Sequence, residues 1–260
     1  MLPQSDPAPR TAVVTGAGRG LGRALATQLV GQGLRVVGLG RNATDLDALA
    51  TEHAAGMIVP IQVDVGNIDD LRAAFARIDK EVGPPDVLIN NAAVYPHRDF
   101  LEETPESFRD VMEINLGGVL VCSMLAIERM IPRGHGRIVN VGTFAGDNPT
   151  YLASAYSVSK GASRILTKAM VRDLADRFPN IVITDWMPGA LQTRMGIPSG
   201  IPPEQAAKWG AALALMNDPD LNGATFERDL QHLPQLSLKR RLLNALTGRR
   251  PVPRRIEPLG

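Results

Sequence analysis

Short apolar runs alternate with longer segments of helical period along most of the chain. The runs are TAVVT (11–15), LRVVGL (34–39), MIVPIQV (57–63), DVLIN (86–90), RIVNVG (137–142) and IVITDW (181–186). Each is rich in β-branched residues and apolar on both alternating faces, the pattern of a strand buried on both sides. A helix-length segment after each run predicts a doubly wound parallel sheet, a single α/β domain of Rossmann type. Two helix starts are legible: Thr44 with Asp47 reads as a capping box, and Thr104 sets Pro105 at the first helical position. After residue 194 the pattern weakens. Pro198, Pro202 and Pro203 surround a loop and then a helix, which predicts a mobile lid over about 194–215. The domain is expected to run from 1 to 235, followed by a tail over 236–260. That tail holds a short helical pattern, SLKRRLLNAL, and a Pro/Arg-rich end expected to be irregular.

Composition narrows the function classes. The chain has 260 residues, a 44% hydrophobic fraction and a formal net charge of +1, so no global field draws it to nucleic acid or membrane. The charge is uneven: the tail carries seven basic residues against Glu257 alone, leaving 21 basic and 26 acidic residues in the body. The tail then either folds over the site or a partner subunit, or is a solvated segment touching an acidic body; the second is favoured because charge runs usually solvate. One cysteine, Cys122, lies in the apolar run VLVCSML and reads as a small buried hydrophobe. The N-terminal decapeptide lacks a secretory pattern and no stretch approaches about 18 apolar residues, so a cytoplasmic protein is expected by default. The four histidines show no metal-ligand spacing, and no metal is expected.

The candidate chemistry begins at TGAGRGLG. Gly16, Gly18, Gly20 and Gly22 follow the first strand and precede a helical pattern, where backbone amides and a helix N-terminus cradle a pyrophosphate. An acid at the end of the second strand would bind the free ribose 2′-hydroxyl of NAD. Here Gly40 holds that position, Arg41 follows it and Arg19 lies in the glycine turn. Two guanidiniums suit a 2′-phosphate, so the expected cofactor is NADP(H), with two merely solvated arginines as the alternative.

At the other end of the chain, Tyr156 precedes Lys160 by one helical turn in AYSVSKGAS, placing a phenol and a cation on one face. A free tyrosine titrates at about 10, so a nearby cation is needed to stabilise its phenolate near neutrality. With TGAGRGLG, VDV (63–65), NNAA (90–93), Asn115 in EINLGG and PGALQT (188–193), this chain resembles the short-chain dehydrogenase/reductase family over residues 11–195. The resemblance implies Tyr156 as general acid or base, Lys160 as the group that lowers its pKa and holds the nicotinamide ribose, and Asn115 as anchor of a relay water. It also implies cofactor contacts at Gly16, Gly20, Leu21, Gly22, Asp64, Val65, Asn91, Pro188, Gly189 and Thr193.

Three departures from the family pattern matter. The serine usually found thirteen residues before the tyrosine is Thr143, which keeps the hydroxyl but adds a methyl, predicting a working, narrower site; Ser154 is the nearest rival for that role. Ala93 replaces a usual glycine. The usual C-terminal Val-Asp-Gly-Gly ending is absent, with GATFERDLQHLPQ (223–235) in its place, so a homodimer through the helices around 105–130 and 154–178 is expected, a homotetramer being the other form. The substrate pocket is expected from Tyr95, His97 and Arg98, from Phe144, Asp147 and Asn148, and from Met195, Ile197 and Trp209. The reading is an NADPH-dependent reductase of a small carbonyl compound, or the reverse oxidation of an alcohol. A non-catalytic NADP(H)-binding regulator and a lyase or epimerase on the same fold stay open.

Overall fold

All six apolar runs form strands: β1 (Thr11–Thr15), β2 (Arg35–Gly40), β3 (Ile58–Gln62), β4 (Val87–Asn90), β5 (Gly136–Val141) and β6 (Ile181–Met187). The computed structural model describes residues 10–216, 218–233 and 252–260. Two further strands, β7 (Thr225–Glu227) and β8 (Leu230–His232), were not expected. Each has three residues and mixes in polar Glu227, Gln231 or His232, so no apolar run announces it. The sheet order is β3-β2-β1-β4-β5-β6-β7-β8, parallel throughout except for antiparallel β8.

Helices α1 (Gly20–Gly31), α2 (Ala43–Thr51), α3 (Ile68–Glu81), α4 (Pro105–Met112), α5 (Gly118–Met130), α6 (Ser154–Leu174) and α7 (Pro203–Leu215) complete the fold. Successive strand residues point to opposite faces, so Val14 and Ile89 join α1, α2 and α7 in one core, while Val13 and Leu88 join α3, α5 and α6 in the other. Cys122 is fully buried in the second core, and burial pushes its thiol up to about 12. The strand order reverses between β1 and β4, which opens a crevice at the carboxyl ends of the strands.

Several expectations need correction. Helix α2 is capped by Asn42, whose side chain accepts from the Asp45 amide, and Thr44 lies inside the helix. The Thr104 start holds, but the capping box closes on Ser107. Pro105–Arg133 is one long helical stretch that holds an 18-residue window apolar enough, by length and composition, to cross a membrane, although it contains no unbroken apolar run of that length. Its 18-residue apolar window is 44% buried within the fold, so much of that hydropathy serves the core. The expected lid divides in two. Residues 194–201 form a loop, whereas α7 buries Ala206, Ala207 and Ala211 completely and packs against α1, so it is a core helix.

Residues 252–260 of the tail touch the acidic body as expected and stay largely exposed, but they are also anchored through β8 and Ile256. The Gln231 amide donates to the Arg254 carbonyl at 2.8 Å and the Ile256 amide to the Asp229 carbonyl at 2.7 Å, adding a partner to β8. Ile256 is 1% exposed, Arg254 pairs with Asp218 and Asp220, and Arg255 pairs with Asp229. The charge asymmetry thus has a local structural use. The SLKRRLLNAL segment lies outside the described residues.

Candidate active site

The loops at the crevice put the glycine turn after β1, Asn91 after β4, Thr143 after β5 and Pro188-Gly189 after β6 around one cavity of about 840 Å³. At the glycine turn the backbone is crowded by design of the fold. A Cβ on Gly22 would lie 2.1 Å from the Gly16 carbonyl oxygen, and Gly16 itself has φ +67° with Asn91 and Ala92 at 3.0 Å from its Cβ position. Helix α1 starts here with no side-chain cap, leaving its first amides free to meet an anion. Asn91 holds the turn: its Nδ2 donates to the Thr15 carbonyl at 2.9 Å, while the Thr15 hydroxyl accepts from the Asn91 and Ala92 amides, both at 2.9 Å. Thr15 went unremarked in the sequence because a strand-end threonine carries no distinguishing pattern.

Gly16, Arg19, Gly20, Leu21, Gly22, Arg41, Asp64, Val65, Asn91, Pro188, Gly189 and Thr193 all line the cavity. Arg19 and Arg41 are exposed, and among the described residues neither side chain meets a carboxylate. Asp45, not anticipated, also lines this end, with its Cβ 2.9 Å from where a Gly18 Cβ would sit. Its signal was hidden by its ordinary place in the first turn of α2.

At the other end, α6 presents Tyr156 and Lys160. Lys160 is 4% exposed, and its Nζ donates to the Val141 carbonyl at 2.9 Å. Burial lowers its pKa to about 8, opposed by the attraction of Asp185. Burial also raises the Tyr156 phenol above its ordinary value; a hydrogen bond with Thr143 opposes this and Tyr95 adds to it. The expected lowering of the phenol by Lys160 is therefore not what this geometry gives, because the ammonium is turned to Val141. Thr143 and Tyr156 both line the cavity, and Thr143 is near enough to act on the phenol. Ser154 instead faces Glu103, at 3.5 Å.

Asn115 sits in a π-helical segment, Glu113–Gly117, between α4 and α5, a distortion often found at functional sites. It is fully buried and does not line the cavity. Its Oδ1 accepts from the Val94 amide at 2.8 Å, and its Nδ2 donates to the Val94 carbonyl at 2.9 Å and to Ser159 Oγ at 3.1 Å. Ser159 in turn donates to the Tyr156 carbonyl at 2.7 Å. Asn115 thus braces the loop after β4 against the helix bearing Tyr156.

Of the expected pocket residues, Tyr95, His97, Met195 and Ile197 line the cavity and Phe144, Asp147, Asn148 and Trp209 do not. Phe144 points to the surface, 43% exposed, because the short 3-10 turn Phe144–Gly146 directs Ala145 inward. Asp147 pairs with Arg164, and Trp209 packs on the core. Arg98 is tied to Glu103 at 2.6 Å beside a second, smaller hollow. Tyr95 stacks against Tyr156, with centroids 4.4 Å apart at 48°, and against His97 at 4.5 Å and 57°.

Residues 10–200 match the family model of the short chain dehydrogenases. The chain is 36% identical to L-xylulose reductase of Homo sapiens over 198 residues, covering 76% of this chain and 78% of that one. It is 37% identical to carbonyl reductase [NADPH] 2 of Sus scrofa over 198 residues, with the same two coverages. With galactitol 2-dehydrogenase (L-tagatose-forming) of Cereibacter sphaeroides the identity is 33% over 200 residues, 76% of this chain and 78% of the relative.

Proposed function

This chain belongs to the short-chain dehydrogenase family of oxidoreductases, which use nicotinamide cofactors, and from that premise we propose that it transfers hydride between NADP(H) and a ketone or secondary alcohol, chiefly as an NADPH-dependent carbonyl reductase. The convergence of Tyr156, Thr143 and buried Lys160 on one cavity carries the reading. The residues fit a dinucleotide: the Gly16–Gly22 cradle would be filled by any Cβ at Gly22, and the uncapped α1 terminus faces the same space. Arg19 and Arg41 would hold a 2′-phosphate, Asp64 and Val65 would flank the adenine, and Pro188, Gly189 and Thr193 would flank the nicotinamide. Bound there, the cofactor supplies the hydride.

The protein's own side chains supply the rest. Thr143 holds the carbonyl oxygen, and Tyr156 Oη, kept protonated at neutrality by its raised pKa, gives that oxygen a proton as the carbon is reduced. Lys160, charged below about pH 8, would stabilise the phenolate left behind once its ammonium turns from the Val141 carbonyl toward it. Asn115 and Ser159 fix the start of α6 so that Tyr156 keeps its place. Exposed Leu120 and Met124 on α5 and Val158 and Ile165 on α6 form apolar stripes at helical spacing, which supports a homodimer through those helices.

The test is NADPH oxidation with a simple ketone or diketone by the wild type and by Tyr156→Phe. Loss of the Tyr156 phenolic proton is expected to lower kcat by at least about a hundredfold. Turnover in the variant within threefold of wild type would sink the assignment.

A further inference from the structure

The reacting end of the cavity is walled by rings and hydrocarbon. Tyr95 lies between Tyr156 and His97, tilted against both at 4.4 and 4.5 Å. Around them stand Val94, Ala145, Leu191, Met195 and Ile197. Met195 and Ile197 are 41% and 48% exposed, so the loop after β6 holds apolar side chains at the cavity with no protein surface covering them. Uncovered apolar side chains on a cavity wall fit an apolar ligand, and a thioether adapts to its shape.

The polar inventory there is small. The lining acids are at the cofactor end, Asp45 against Gly18 in the glycine turn and Asp64 just past β3. Among the described residues at the reacting end the hydroxyls are Thr143, Thr150, Tyr156 and Thr193, the last set to flank the nicotinamide, with Tyr95 and His97 as the polar-tipped rings. Thr150 already accepts from Tyr95 Oη at 3.5 Å, and Thr143 and Tyr156 are needed at the reacting oxygen. Gln192 and Arg194 line the same loop and, like Met195 and Ile197, are exposed.

From this arrangement we infer that the substrate is a conjugated or aryl ketone, laid with its planar face on Tyr95 and its oxygen at Thr143 and Tyr156; the inference rests on the carbonyl-reductase reading above. A ring or extended π system takes up the face of Tyr95 and covers Met195 and Ile197. A ketopentose or a related polyol would bring several hydroxyls to a wall that has few free partners. Each hydroxyl left dry and unpaired weakens binding by roughly tenfold or more. The chain therefore parts in substrate class from the sugar-named relatives it matches, and the selecting residue is Tyr95.

The experiment compares kcat/KM for an aryl methyl ketone, L-xylulose and diacetyl, with NADPH and with NADH, in the wild type, Tyr95→Phe and Tyr95→Ala. The wild type is expected to favour the aryl ketone over the ketopentose by at least about a hundredfold, the product of two unpaired hydroxyls. Tyr95→Ala should raise KM for the aryl ketone by about three- to tenfold, more than for diacetyl, and Tyr95→Phe should restore it. Equal or better use of L-xylulose overturns the inference, as does a Tyr95→Ala loss that is the same for aryl ketone and diacetyl. Reduction of diacetyl or L-xylulose without the aryl ketone overturns it too, while leaving the reductase reading standing. Consumption of no carbonyl with either nicotinamide overturns that reading itself.

Discussion

Thr143 carries two duties with one oxygen. It accepts from the Ala145 amide at 3.4 Å, which fixes the 3-10 turn, and it meets the Tyr156 phenol. Thr143→Val keeps the shape and removes the oxygen, so kcat should fall by about ten- to a thousandfold; near-normal turnover would reject its role. Behind Lys160 lies a buried acid, Asp185, 2% exposed and hydrogen-bonded by Thr167 at 2.7 Å. Burial raises its pKa to about 6, opposed by that bond and by Arg164, Lys168 and Lys160. Its charge in turn resists the lowering of Lys160. For Lys160 the folded pKa of about 8 lies below the ordinary lysine value, so the unfolded chain binds more protons between the two and stability from this group rises with pH across that window. Asp185→Asn removes the attraction, sending the Lys160 pKa below about 8. The alkaline limb of kcat/KM for reduction should then move to lower pH, and an unmoved limb would show that the two groups are not coupled. Nothing in IVITDW marked Asp185 as more than a polar residue in a strand, since only the fold brings it opposite α6.

Elements defined by repetition were legible and elements defined by docking were not. The six main strands lie within a residue of their apolar runs, because a doubly covered parallel strand must be apolar throughout. Strands β7 and β8 are short edge pieces held by backbone bonds, and the residues at 252–260 join them through contacts remote in sequence. Helix α7 was read with the lid because prolines surround its start, yet its alanine face meets α1. Ending the chain at residue 251 would uncover Ile256's site and the β8 edge. Burying one such side chain contributes about 2 kcal/mol, and exposed pairs such as Arg255–Asp229 add little. The midpoint Tm should fall by about 4–8 °C. In sedimentation the truncated chain should keep the mass of the proposed dimer, since α5 and α6 are untouched; a monomer beside a dimeric full-length chain would show instead that the tail joins the subunits.

Across the whole molecule, the sequence motifs lie far apart, at 15–22, 63–65, 90–93, 115, 143, 156–160 and 188–193, and a single sheet end collects them. Their order was readable; their work was readable only in part. Asn115 turned out to be a brace, Lys160 faces Val141, and the ring of Tyr95 lies on the phenol, all matters of side-chain direction that spacing does not encode. The cofactor end was more transparent because steric room at Gly16 and Gly22 and a missing acid at Gly40 are facts of residue type. The proposed service of this cavity to NADP(H) rests on Arg19 and Arg41, against which Asp45 is the one lining acid from α2. The direct measurement is the ratio of kcat/KM for NADPH to that for NADH with one ketone. Two guanidiniums at a 2′-phosphate predict a ratio of at least about ten, and a ratio below one would contradict the account.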